Sequence, residues 1–415
     1  MNTVKSLFRY GCSSILKTGT MCGCKRRYAM TCPPQLEPAN FKPQKVLILT
    51  KLSRYEFEKR RHPELTERQL EKCLRMRGSD YNILLYHHYI HKGVENTVNS
   101  VFTAAGIETR VVYRFDYSDP NIEWADAIVT TGGDGTYLLA ASRILDRNKP
   151  LIGFNSDPTR SKGQLCLPQK YSVDVKEAVE KLLKGKFRWT FRSRIRVTLI
   201  GENIFKPPVE LHDQQLRYHE YSGIGVARRV LPVLALNEVF IGECVSARVS
   251  YMELGFDDVK GIKQKCSGFI ASTGTGSTSW TYNINKLTEQ NMEEILTIVK
   301  EETGFKIQDT DQYFVSKITE KFNQMLITDP EVSKMVYTIR DQLVSSPMRS
   351  ECVKPRGFAK TISVKSRCFD ASLVIDGGLS FTFNDGTRAL LEIHDEDALR
   401  TVTLLGDSTE VSFKH

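Results

Sequence analysis

An apolar run, Trp124–Thr131 (WADAIVTT), passes through Gly132-Gly133-Asp134-Gly135-Thr136 straight into the helical pattern of Thr136–Asp146 (TYLLAASRILD). A strand that turns into a helix through so few glycines lays that helix on a sheet face, which begins a βαβ unit. Glycines at such a turn let the backbone approach a bulky anion, and the helix N-terminus beyond offers unpaired N–H groups and a favourable dipole. The geometry suits phosphate. An aspartate there would repel a phosphate held by backbone alone, so Asp134 implies a reactive hydroxyl or a metal-bridged phosphate beside it and is the catalytic candidate. Taken alone, the motif also reads as a tight turn whose aspartate caps the helix.

Lys45–Lys51 (KVLILTK) has the unbroken apolar character of a buried parallel strand and follows the proline-containing stretch Pro33–Pro43. Helices are expected at Thr66–Arg77 and Val94–Ala105, and strands at Ile107–Tyr113 and Pro150–Phe154. In the helix after the glycine turn, Leu138, Leu139, Ser142 and Leu145 share one side. From about Phe187 the texture changes to alternating strands: Ile195–Ile200, Val233–Ile241, Val249–Leu254, Gly268–Ser272, Thr361–Val364, Ala371–Ile375 and Ser380–Phe383. A helical insertion at about 287–327 interrupts them. The expected fold class is α/β, with an N-terminal Rossmann-like α/β domain over 37–186 and a β-rich domain over 187–390. Residues 391–415 form a tail expected to return to the first domain.

Gly268–Ser272 runs into a second glycine and hydroxyl cluster, Thr273-Gly274-Thr275-Gly276-Ser277-Thr278-Ser279-Trp280, whose open backbone and hydroxyls suit phosphate, ribose or adenine. Between the two clusters lies Asn237-Glu238, within the apolar Ala235–Val239. A strand buried on both faces holds such a pair only with partners or a ligand, whereas a solvated strand end holds it freely. No Gly-Lys-Ser/Thr follows either glycine run, so neither is a P-loop.

The net charge of +9, from 58 Lys and Arg against 49 Asp and Glu, raises nucleic acid or an anionic membrane as partners. Six of the basic residues and none of the acidic ones fall within 1–36, which leaves +3 for the rest. There Val4, Leu7, Phe8, Cys12 and Ile15 recur at helical spacing beside Lys5 and Arg9, the pattern of a mitochondrial presequence, with a disordered basic tail as the alternative. No run approaches the roughly 18 apolar residues of a membrane span. Most of the ten cysteines, which lack zinc-finger spacing, read as reduced thiols; Cys22, Cys24 and Cys32 lie in the segment expected to be removed, and no metal site is expected among the side chains. His87, His88 and His91 read as surface or packing histidines. Lys184–Arg196 mixes aromatics and cations, but its alternation fits a half-buried strand better than a nucleic-acid surface, with Arg194 or Arg196 available to a phosphate donor. Neither nucleic acid nor membrane is expected as a partner.

Gly132–Thr136, Asn237-Glu238 and Thr273–Thr278, in this order, resemble the NAD kinase family. The resemblance spans roughly Lys45 to Leu404, and the basic presequence, Gly153–Pro158 and the helical insertion are most similar to its animal mitochondrial branch. It implies an NAD kinase/diacylglycerol kinase-like fold that transfers phosphoryl from ATP, or inorganic polyphosphate, to the adenosine 2′-hydroxyl of NAD. It also implies Mg2+ as cofactor, the mitochondrial matrix as location, and a homodimer. On this reading Asp134 is the general base or orienting group, and Gly132, Gly133, Gly135 and Thr136 leave room for the phosphoryl group. Asn155, Asn237 and Glu238 hold NAD near its ribose, and Thr275, Gly276, Ser277, Thr278, Ser279 and Trp280 serve the adenosine part. The chain departs from the family at Ser267-Gly268, where Asp-Gly is usual, at Gly274 for a proline and at Trp280 for a tyrosine. Two rivals stay open: a GGDGT-type lipid or sugar kinase, whose pattern lacks the other two motifs, and a non-catalytic NAD(H) or NADPH sensor, which Ser267 leaves possible.

Overall fold

The computed structural model describes residues 39–202, 204–211, 227–257, 259–304, 312–343 and 353–406. The presequence expected over 1–36 and the end of the expected tail lie outside them. The first layer holds strands β1 (Lys45–Thr50), β2 (Glu108–Val112), β3 (Ala127–Gly132) and β4 (Leu151–Asn155). Its helices are α1 (Arg54–Arg61), α2 (Glu67–Met76), α3 (Tyr81–Ala104), α4 (Asp119–Trp124), α5 (Asp134–Arg143) and α6 (Val175–Leu183). All four strands are parallel, in the order β2-β1-β3-β4. β3 and β4 are buried at every residue, as expected of strands covered by helices on both faces. From β1 the chain moves outward to β2, then crosses back to β3 and on to β4. The order reverses between β1 and β3, and in open parallel sheets the crevice beyond such a reversal is where ligands bind.

α3 is longer than the periodicity suggested and includes His87, His88 and His91 in its first half. Its N-terminus is fixed by Asp80, whose carboxylate accepts from the Ile83 N–H at 3.1 Å. In α5 the buried side is Tyr137, Ala140, Ala141 and Ser142, with Ile144 just beyond. Of the residues expected to share one side, Ser142 is buried, Leu138 and Leu139 are half-buried against the same core, and Leu145 is 54% exposed.

The rest of the chain adds β5 (Phe187–Arg192), β6 (Ile195–Gly201), β7 (Val209–Glu210), β8 (Ala227–Ala235), β9 (Glu238–Glu243), β10 (Ser250–Phe256), β11 (Val259–Cys266) and β12 (Gly268–Ser272). After them come α7 (Trp280–Asn285), α8 (Glu289–Thr303) and α9 (Gln312–Gln324). β13 (Met335–Arg340), β14 (Arg356–Ala359), β15 (Thr361–Ser366), β16 (Ala371–Ile375), β17 (Leu379–Thr382), β18 (Arg388–Ile393) and β19 (Leu399–Leu404) complete it. Two sheets, ordered β11-β10-β15-β18-β6-β8 and β14-β13-β12-β9-β16-β17-β7, enclose a core that includes Val197, Leu254 and Leu391 from one and Ile241, Phe269 and Leu373 from the other. β19 pairs antiparallel with β5 alone, and this ribbon buries Phe187, Trp189 and Leu404 against Val46, Val129 and Phe154 of the parallel sheet. Among the described residues no helix is long and apolar enough to cross a membrane, and Cys73, Cys166, Cys244, Cys266 and Cys368 are free thiols.

Candidate active site

The glycine turn continues β3 into α5. The N-cap of α5 is Gly133, with no side-chain cap, so Asp134 does not cap the helix. Its carboxylate turns to the loop after β4, where it accepts from the Leu165 N–H at 2.8 Å and the Gln164 N–H at 3.2 Å. Two fixed donors hold Asp134 in one orientation, half-buried at the start of the helix. At the other end of α5, Arg194 is fully buried and donates to the carbonyls of Ala141, Ile144 and Asp397. A guanidinium on those terminal carbonyls completes the helix and complements its dipole. Arg196 pairs with Asp397 and Glu396. Both arginines expected to be open to a donor are therefore bound within the protein.

Asn155, at the end of β4, uses its amide on its own loop: Nδ2 donates to Ser161 O at 2.8 Å and Oδ1 accepts from the Asp157 N–H at 3.1 Å. Beneath that loop lie the three histidines. His91 is fully buried, with Nδ1 2.9 Å from Ser156 Oγ and Nε2 3.3 Å from Thr50 Oγ1. His87 Nδ1 lies 2.9 Å from Asp157 Oδ2, and His88 Nδ1 2.9 Å from Ser53 Oγ. They tie the ends of β1 and β4 to α3.

Asn237 and Glu238 sit where β8 passes into β9, both buried, and Leu236 before them packs in one core with Tyr137, Ala140 and Ala141 of α5. Asn237 Oδ1 and Glu238 Oε2 have no hydrogen-bond partner. A buried polar atom so left costs about 1–3 kcal/mol, so such atoms point to a missing ligand or water. The backbone around them is held by Asp376, in the turn between β16 and β17. Its carboxylate accepts from the N–H groups of Leu236 and Asn237 at 2.8 Å and of Glu238 at 3.0 Å. Burial first, then the nearby Asp376 charge, pushes the Glu238 carboxyl up to about 8, so it keeps its proton at neutral pH.

The third motif folds against this pair. The Thr273 hydroxyl donates to Leu236 O, and the Thr273 N–H to Asn237 O at 2.9 Å. A Cβ on Gly276 would stand 2.2 Å from Asn237 O, so only glycine fits there. Gly274 is closed in from the other side, since a Cβ would stand 2.0 Å from Asp329 O. That contact explains why the family's proline is absent here. Thr275 accepts from Arg192 Nη1 at 3.3 Å. Ser277 is spent internally, donating to Gly274 O at 2.6 Å and accepting from the Thr328 N–H at 2.9 Å. The Thr278 hydroxyl donates to Thr275 O at 3.2 Å. Ser279 opens α7 with no side-chain cap, and Trp280, 38% exposed, leans on Phe240 with ring centroids 5.1 Å apart.

A cavity of about 1380 Å³ opens beside the glycine turn. Gly133, Gly135 and Thr136 form one wall, with the half-buried Leu138 and Leu139 above them. Pro232, Val233, Asp376 and Leu379 of the β-rich part face them. Asp134, Asn237, Glu238, Thr275 and Trp280 are not part of its lining, although Asp376, which holds the backbone of 236–238, is.

Sequence reasoning missed Asp376, which stands in an Asp-Gly-Gly hairpin turn with nothing to mark it, and Arg192, which reads as one outward position of a strand. The backbone partners of Asp134 at Gln164 and Leu165 carry no sequence signal, because they act through N–H groups that every residue but proline has.

No protein-family model matches the chain. It is 44% identical over 379 residues to the human protein "NAD kinase 2, mitochondrial", covering 88% of this chain and 85% of that one. It is 42% identical over 394 residues to the Xenopus tropicalis protein of the same name, covering 88% and 91%. Among solved structures, yeast NADH kinase complexed with NADH is similar over 92% of this chain and 94% of that one at 13% identity and a TM-score of 0.48, too loose to bear on the fold. With this identity along most of its length, the chain belongs to the NAD kinase family.

Proposed function

We propose that the protein phosphorylates the adenosine 2′-hydroxyl of NAD with ATP, giving NADP and ADP, in mitochondria. The observation that carries the reading is the pair of unpartnered buried atoms, Asn237 Oδ1 and Glu238 Oε2, beside a turn that holds Asp134 rigid. Phosphoryl transfer needs in-line placement and charge neutralisation more than covalent help. Asn237 accepts a ribose hydroxyl proton in a hydrogen bond, and Glu238, protonated, can donate one as well as accept one. Asp134 orients the attacking hydroxyl and takes its proton, a contribution of about 10²–10⁴ in rate. Thr275, Thr278, Ser279 and Trp280 face the adenosine part.

Mg2+ supplies charge neutralisation on the phosphates when bound. Among the described residues no three His, Cys, Asp or Glu side chains converge. Asp134 is the carboxylate at the turn that would help hold such a cation. The protein works as a homodimer, as the family resemblance implies, which light scattering on the purified protein tests.

Incubation of the purified protein with ATP, Mg2+ and NAD should yield NADP. Tight NAD binding without NADP would instead identify a sensor, and phosphorylation of a sphingoid base or diacylglycerol a lipid kinase.

A further inference from the structure

Lys51 follows β1 at the point where the strand order reverses. Its backbone N–H donates to Thr131 O at 3.0 Å, which sets it against the end of β3, next to Gly132 and Gly133. The side chain is half-buried and lines the cavity beside the glycine turn. Among the described residues its ammonium has neither a hydrogen bond nor an ion pair. Asp157 is the nearby carboxylate, but it makes no ion pair with Lys51: Oδ1 accepts from Thr159 Oγ1 at 2.6 Å, and Oδ2 lies 2.9 Å from His87 Nδ1 without a hydrogen bond. Burial accordingly lowers the lysine pKa more than Asp157 raises it. Three other cations of the cavity are engaged, Arg54 with Glu58, Arg143 with Tyr117 O, and Lys149 with Ile122 O and Ala125 O, while Arg61, also in its lining, is exposed to water. An ammonium withdrawn from water without a counter-charge is costly, and an anion in the cavity relieves that cost.

The position is also held firmly. Thr50, next to Lys51, bonds Glu95 Oε2 at 2.5 Å and lies 3.3 Å from His91 Nε2. Ser53 caps α1 with a reciprocal Glu56 bond and meets His88. The side chains on both sides of Lys51 are thus anchored to α3, and the histidines serve as its mounting.

The cavity is lined by Gly133, Gly135 and Thr136 of the glycine turn, whereas Asn237, Glu238 and Thr275 are not part of its lining. We propose that Lys51 is the cation that grips the phosphate chain of the nucleoside triphosphate donor in this cavity. The assignment deepens the kinase reading and rests on it for the word donor. The binding itself can be measured without any reaction.

The test is calorimetric titration of the full-length protein with ATP and, separately, with inorganic tripolyphosphate, in the absence of NAD. Lys51→Met should raise the Kd of both by about 10- to 100-fold, the size of one charge-assisted contact, and leave the Kd of NAD within about twofold. Lys51→Arg should recover most of the affinity. The unliganded Lys51→Met protein should melt no lower than wild type, because it loses a desolvated charge that had no partner. Unchanged affinity for ATP and tripolyphosphate in Lys51→Met, or an equal loss of NAD affinity, overturns the assignment. Wild-type protein that binds ATP through Lys51 yet makes no NADP removes the kinase reading and leaves the assignment standing.

Discussion

Asp376 lies directly beneath Glu238: its carboxylate accepts the Glu238 N–H at 3.0 Å while its own N–H donates to the Glu238 carbonyl at 3.0 Å. One carboxylate is thereby pinned under another, and burial pushes Asp376 itself up to about 6. With three N–H donors upon it, Asp376 is the member that carries the charge.

Asp376→Asn keeps the shape but offers one acceptor oxygen where two served three N–H groups, and turns an NH₂ toward at least one of them. A loss of about 2–4 kcal/mol is expected in urea denaturation. The backbone is not the cause, because asparagine tolerates the φ of +49° found there. Asp376→Ala should lose more, and a variant as stable as wild type would mean that the carboxylate does not organise the site.

Glu238 makes the unliganded protein pH-sensitive. Its folded pKa of about 8 lies above the ordinary carboxylate value of 4.5, so between these pH values the unfolded chain has released a proton that the folded one keeps. Its contribution to stability is complete below about pH 4.5 and is lost as pH rises toward 8. Glu238→Gln, neutral throughout, should flatten that slope and exceed wild type at pH 8 by about 1–3 kcal/mol, leaving the weaker slope of Asp376 below pH 6. Thermal melts at several pH values read this directly; parallel curves for the two proteins would refute it.

Asp134→Asn retains one acceptor for the N–H groups of Gln164 and Leu165 and so should fold. It should lose about 10²–10⁴-fold in kcat while binding NAD nearly as well. Near-normal turnover would assign the proton transfer to another group.

Restoring the family's proline at Gly274 tests the packing of the third motif. Its Cβ would collide with the Asp329 carbonyl, which is backbone and cannot swing aside. We expect at least about 2 kcal/mol of lost stability and a raised KM for NAD. A Gly274→Pro protein as stable as wild type would show that the 328–330 segment yields.

Much of this site was readable because the chemistry is concentrated in consecutive residues. Gly132–Thr136 identifies itself, since a strand, a glycine turn and a helix are adjacent in the chain and in space. The parallel layer followed from buried apolar runs such as KVLILTK. What stayed hidden depends on long-range closure. Asp376 meets Leu236 only because β16 pairs with β9, and the register of that pair is invisible in either strand alone. The leucines of α5 satisfied helical spacing, yet the buried residues are Tyr137, Ala140, Ala141 and Ser142, and Leu138, Leu139 and Leu145 line a cavity. Periodicity shows that a helix has two sides; it does not say which one the sheet takes. The histidines of α3 gave no pattern because their partners are distant in the chain: His87 and His91 meet the loop after β4, and His88 meets Ser53 after β1.

The ribbon of β5 and β19 has a consequence for how the protein is made. Leu404 fills the same core as Val46, although more than three hundred residues separate them in the chain. A chain emerging from a ribosome, or threading N-terminus first through a membrane pore, therefore carries its first layer with one wall missing until nearly the whole polypeptide has arrived. The parallel layer stays incomplete throughout transit and closes only on delivery of the last strand, so the unfinished enzyme remains open to chaperones and proteases for as long as passage takes.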